Sequence, residues 1–112
     1  MDRLDQLYAR SRREIEAHAV EVAATETGRY YIDEAAHLLA GLRMWAQAQY
    51  RADQVVREIL ESGDVTVLRG VARDLRAMKT REAQVASWSV EPIAKWPAEQ
   101  LATVSSYALR AL

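Results

Sequence analysis

Both histidines of the chain lie in one stretch, EIEAHAVEVAATETGRYYIDEAAH, from Glu14 to His37, with glutamates near each. Imidazole and carboxylate groups together are ligands for zinc or iron. His18 stands ten residues before Gly28 and His37 nine after it, while Glu21 stands seven before and Glu34 six after. If Gly28 reverses the chain between antiparallel helices, His18 comes level with His37 and Glu21 with Glu34. Glu34 and His37 are also i, i+3, which puts both on one helix face. That is the ligand spacing of carboxylate-bridged di-iron bundles.

A di-iron centre of the ferritin-like kind needs two such motifs and two further glutamates from four helices. This chain has one Glu-x-x-His, and Glu14-x-x-x-His18 is the alternative i, i+4 spacing. No carboxylate pair stands out on the inward stripes of the later helices, where Glu82 is the one inward acid. His18, His37, Glu34 and Glu21 therefore suffice for one iron or zinc ion in a monomer. The competing reading is a pair of histidines at a half-buried helix seam, hydrogen-bonded to Glu21 or Glu34. We take the seam as the expectation and the metal-binding bundle as the alternative.

Two other groups of residues could carry recognition. Arg69, Arg73 and Arg76 fall on one helix face, with Lys79 just beyond. Such a face could grip phosphates, or lie in solvent paired with Asp74 and neighbouring acids. Trp88 and Trp96 flank the apolar, proline-containing WSVEPIAKWP. They either staple that segment to the bundle or, where exposed, act as hot spots for a protein partner. Trp45 falls on an apolar arc and reads as core. VARDLRAMKTREAQVASW loosely matches a helix-turn-helix, but it lacks a turn glycine and reads as continuous helix. No Ser-His-Asp arrangement and no phosphate-cradling glycine loop is found, so the chain reads as non-catalytic, with no cofactor.

The elements that must position these groups are helices. Ala, Leu, Glu, Arg and Gln dominate, and glycine and proline are scarce, at 4 and 2 in 112 residues. Apolar residues recur at helical spacing, and the punctuation predicts four helices. They run from about Asp2 to Thr25 with Gly28 as a left-handed cap, Arg29 to Ser62, Val65 to Ser87, and Pro97 to Leu112. Gly63 ends the second and Asp64 caps the third. WSVEPIAKWP is expected to fold back over the bundle end.

Charge and composition narrow the classes further. Lys plus Arg is 15 and Asp plus Glu is 16, for a net charge of −1. That balance disfavours an obligate nucleic-acid coat or a polybasic membrane-surface protein. No cysteine is present, which excludes disulfides, zinc fingers and thiol catalysis. MDRLDQLYARSRREI has no apolar stretch of the signal-peptide kind, and no run is long enough to span a bilayer. The expected location is the cytoplasm. Thirteen of fifteen basic residues are arginine, which together with the many alanines points to a GC-rich, bacterial genome.

The expected fold is thus all-α, one small bundle over residues 1–112 with a long central second helix. That helix carries more apolar surface than three short partners cover, which predicts a dimer. The expected function is a helical interaction or assembly module, an accessory protein that binds itself or another protein through apolar faces with Arg and Trp contacts. The alternatives are the metal-binding bundle and a nucleic-acid-binding accessory protein using Arg69, Arg73 and Arg76.

Overall fold

In the computed structural model, which describes residues 2–112, the chain forms seven α-helices and no strand among those residues. They are α1 (Arg3–Ala17), α2 (Val20–Ala23), α3 (Glu26–Ala48), α4 (Asp53–Ser62), α5 (Val65–Ala77), α6 (Arg81–Val90) and α7 (Ala98–Leu109). A single 3-10 turn, Ile93–Lys95, joins α6 to α7. The all-α class is as expected. The count of about four helices is not, because each of the first three expected helices is broken once.

The breaks have local causes. Helix α1 starts at Asp2, whose carboxylate accepts from the Asp5 amide at 2.8 Å, and ends at His18. Ala19 then leaves helical geometry with φ −147° and ψ 43°, and its buried methyl turns the chain into the single turn of α2. Gly28 does not end a helix. It sits in the first turn of α3, where Thr25 is the N-cap and its hydroxyl accepts from the Gly28 amide at 2.9 Å.

The long second helix is also two. After Ala48 the Tyr50 amide donates to Gln47 O at 3.1 Å and the Arg51 amide to Ala46 O at 2.8 Å. Those two bonds are the Schellman ending, in which the residue after the cap turns left-handed. That residue is Tyr50, at φ 56°. Lys79, also at φ 56°, separates α5 from α6, and Thr80 caps α6 by accepting from Ala83 N at 3.1 Å. Only the α4–α5 break uses the glycine and aspartate expected there: Gly63 at φ 63° and Asp64, which accepts from Thr66 N at 2.9 Å.

A left-handed backbone costs a non-glycine residue roughly 1 kcal/mol, and Tyr50 is 99% exposed, so its ring offsets none of that by packing. Tyr50→Gly is therefore expected to stabilise the protein by up to about 1 kcal/mol, after allowing for glycine's looser unfolded chain. A rise in the urea midpoint at unchanged slope would show it; a fall would mean that the ring makes contacts in solution.

Helix α3 is the axis of the fold. Every residue from Leu38 to Ala46 is buried, and a helix apolar all round must be enclosed. The enclosure comes from the chain itself: α1, α6 and α7 pack along α3, α5 backs α6, and α4 closes onto α7. Ile93 and Ala94 of the 3-10 turn are buried as well, so the WSVEPIAKWP segment does fold back onto the bundle. The expected dimer rested on uncovered apolar surface along one long helix. That surface lies under the molecule's own α1, α6 and α7, and the argument for a dimer falls with it. No helix among the described residues is long and apolar enough to cross a membrane.

Candidate functional site

The four expected metal donors are divided between two regions. His18 is exposed at the end of α1, where its carbonyl accepts from Arg110 Nη1 at 3.1 Å. The same Nη1 reaches Glu21 Oε1 at 3.1 Å. The Glu21 carboxyl is held below the usual range by its own backbone N–H and then by Arg110. His37 and Glu34 instead lie together beside α6 and line one cavity with Trp88. Glu14 turns away to Arg43. Among the described residues no three His, Asp or Glu side chains gather closely enough to hold a metal ion.

A polar knot that was not foreseen surrounds His37. The Tyr8 hydroxyl of α1 donates to Asp33 Oδ1 of α3 in a short bond. Arg12 Nη1 donates to Tyr8 Oη and to Asp33 Oδ1, both at 2.8 Å, and Arg12 Nε reaches Glu16 at 2.9 Å. The His37 ring stacks on Tyr8 with centroids 4.3 Å apart and planes 23° from parallel. Its Nε2 is 3.6 Å from Asp33 Oδ2, too long for a hydrogen bond. The Tyr8 phenol is pushed up, first by burial and then by its bond to Asp33, so it stays a donor rather than a base. Glu16 and Tyr8 push the Arg12 guanidinium up and keep it a cation. Tyr8, Arg12 and Asp33, the hydrogen-bonded centre of the knot, are engaged in tying α1 to α3.

Glu34 is the exception. Among the described residues no hydrogen-bond donor meets its carboxylate, although it is half-buried in the cavity with Trp88, Ser89 and Pro92. Burial raises its pKa, against a smaller opposing pull from His37. A raised folded-state pKa means that the stability contribution is full below the unfolded value. It is lost as pH rises through the folded value. Glu34→Gln is thus expected to raise the thermal midpoint at about pH 7 and to lose that advantage at about pH 4. Thermal melts of both proteins across that range measure it, and a Gln variant less stable at neutral pH would refute it.

Trp88, on α6, lines the cavity with Glu34 and has 64% of its surface exposed, whereas Trp45 is 7% exposed and donates its Nε1–H to Asp74 at 3.1 Å. Asp74 thus serves the core tryptophan rather than the arginine face. Of that face, Arg76 pairs with Glu91, whose carboxyl it holds low, while Arg69 and Arg73 are exposed with no acceptor among the described residues. Trp96 is half-buried and borders a separate apolar groove of about 600 Å³, whose walls include Leu60, Val65, Leu101 and Leu109.

A second feature missed from the sequence is Arg43, 1% exposed within the apolar run of α3. Its Nη1 donates to Ser11 Oγ at 2.9 Å and Glu14 Oε1 at 3.0 Å, and its Nη2 reaches Glu14 Oε2 and Asp53 Oδ2, both at 3.3 Å. Its Nε–H meets no acceptor among the described residues. The one sequence signal was a lone charge inside LLAGLRMWA. No model of a protein family, no curated protein and no solved structure matches the chain significantly.

Proposed function

We propose that the chain is a non-catalytic protein-interaction module that meets its partner at the surface around Trp88. The observation carrying this reading is the 64% exposure of the Trp88 indole on a well-formed helix. The indole lines a cavity together with half-buried Glu34, whose carboxylate meets no hydrogen-bond donor among the described residues. Water-exposed tryptophan is unfavourable in an isolated protein, and tryptophan dominates interface hot spots. The polar groups close by are already committed to joining α1 to α3, which supports a binding role over a catalytic one.

The test is affinity capture with quantitative mass spectrometry, comparing the native protein with Trp88→Ala. A specific partner should fall by more than about tenfold with the variant, as expected for a hot spot of at least 2 kcal/mol. The variant's thermal midpoint should stay close to native, since the residue is exposed. Equal capture by both proteins would sink the reading.

One observation favours nucleic acid as a second reading. Helices α5 and α6 are joined by a short turn rather than fused, and α5 presents Arg69 and Arg73 unpaired among the described residues. Duplex binding that weakens with salt and is lost in an Arg69→Ala/Arg73→Ala double variant would support it; no binding at low salt would dispose of it.

A further inference from the structure

Two cavities share walls at His37 and Ser89. The first, about 190 Å³, is lined by Glu34, His37, Trp88, Ser89, Pro92 and Ile93. The second, about 260 Å³, lies between α1, α3 and α6, with Leu4, Tyr8, Ala40 and Val85 in its walls. His37 and Ser89 border both, so we treat them as one groove, with Glu34 and Trp88 at one end and Asp5 among the apolar residues of the other. Neither cavity alone holds more than about one side chain, and the two differ in lining. That division suits two neighbouring side chains of a peptide, one in each.

The charge of the groove selects the side chain. Its carboxylates are Glu34 at one end and Asp5 at the other, and Asp33 lies behind His37, already neutralised by Arg12. Among the described residues no Lys or Arg lines either cavity. An anion would meet the repulsion of Glu34 and Asp5, with the His37 ring and the Ser89 and Tyr8 hydroxyls as the donors in the lining. A cation would meet a half-buried carboxylate in the same cavity as an exposed indole, whose ring face is attractive to positive charge.

Arginine fits this pair better than lysine. Its planar guanidinium stacks on an aromatic ring while its fork of N–H groups reaches a carboxylate. We propose that the groove binds a segment of the partner protein carrying an arginine, stacked on Trp88 and paired with Glu34, followed closely by an apolar residue seated against Leu4 and Val85. This rests on the Trp88 surface being the interaction site and adds what it recognises. It also gives a counter-charge to Glu34, whose carboxylate meets no hydrogen-bond donor among the described residues.

The probe is the capped tripeptide acetyl-Arg-Ala-Leu-amide, with the citrulline analogue, equal in shape and uncharged, as its control. Both are titrated to about 10 mM, a range suited to one or two anchored side chains, while the indole N–H signals of Trp45, Trp88 and Trp96 are followed by NMR. The arginine peptide should shift the Trp88 signal to saturation and leave Trp45 and Trp96 in place. The citrulline peptide should bind about tenfold more weakly, and Glu34→Gln should shrink that difference to the smaller part that stacking on Trp88 supplies. Equal binding of the two peptides, a shift at Trp96 instead, or no binding of either would overturn the arginine assignment. Partner capture that needs Trp88 but survives Glu34→Gln would do the same while leaving the interaction module intact.

Discussion

Arg43→Ala is expected to lower stability by about 3 kcal/mol, whereas Arg43→Met should stay within about 1 kcal/mol of the native protein. The guanidinium is nearly sealed, with 2% of the side chain exposed, yet its partners Glu14 and Asp53 are 30% and 49% exposed. Removing the cation leaves two carboxylates facing each other across a cavity, and breaking such a buried pair costs about 3–5 kcal/mol. Because both carboxylates can swing into water, the lower end applies. Methionine fills the volume and removes the buried charge, an exchange that is often neutral or stabilising. The unsatisfied Nε–H, which the native protein carries at a cost, also disappears. For a domain of this size the alanine loss amounts to a fall of roughly 12 °C in the thermal midpoint. Circular dichroism melts of the two variants decide the matter. A methionine variant as weak as the alanine one would show that the bonds from Arg43 to α1 and α4, and not its bulk, hold that corner.

Arg43 also shows which parts of this structure the sequence could reveal. Helical type, the Gly63–Asp64 break and the folded-back tryptophan segment were legible because each has a local signal: strong helix formers, a left-handed glycine before a capping aspartate, and apolar residues around Pro92. The breaks at Tyr50 and Lys79 carry no such signal. Their left-handed conformations fall on residues that do not favour them, so the packing of α4 and α6 imposes them. Reading through those two positions turned four helices into two and produced the surplus apolar surface that suggested a dimer.

The same holds for the histidines. Glu34 and His37 were rightly placed on one face, because three residues within a single helix fix their relation. Bringing His18 to them required α1 to continue past residue 18 and Gly28 to reverse the chain. Instead α1 ends at Ala17, the chain bends at Ala19, and Gly28 already lies inside α3. Glu14 is drawn off by Arg43, and Asp33, which had no part in the expected site, pairs with Arg12 beside His37; these partners lie 29 and 21 positions apart, and no spacing announces them.

Gly28 supplies the other large expected effect, and its sign runs against the ordinary rule. Replacing a glycine inside a helix with alanine normally stabilises by about 0.5–1 kcal/mol. At Gly28 a Cβ would fall within the carbonyl oxygen of Val22, 2.7 Å from the Val22 carbonyl carbon and 2.7 Å from Thr25 Oγ1. Two of those three atoms are backbone, so no rotamer change relieves the clash. The end of α2 must move away from the start of α3. That movement breaks the Thr25 cap on the Gly28 amide and the Thr25 hydroxyl bond to Val22 O at 3.2 Å. Crowding of this kind costs about 1–3 kcal/mol and a lost cap about 1, so Gly28→Ala should destabilise by about 3 kcal/mol. Gly63→Ala is the contrast. Nothing lies within 4 Å of its added methyl, and only the φ of 63° opposes it, for about 1 kcal/mol. Urea unfolding of both variants should show the larger midpoint shift at residue 28. Amide exchange should quicken in α2 and the first turn of α3 of that variant while the α3–α6 contact stays protected. A Gly28→Ala protein as stable as the native one would mean that α2 does not press onto α3 in solution. Glu21, which α2 carries to Arg110, would then lose its fixed place as well.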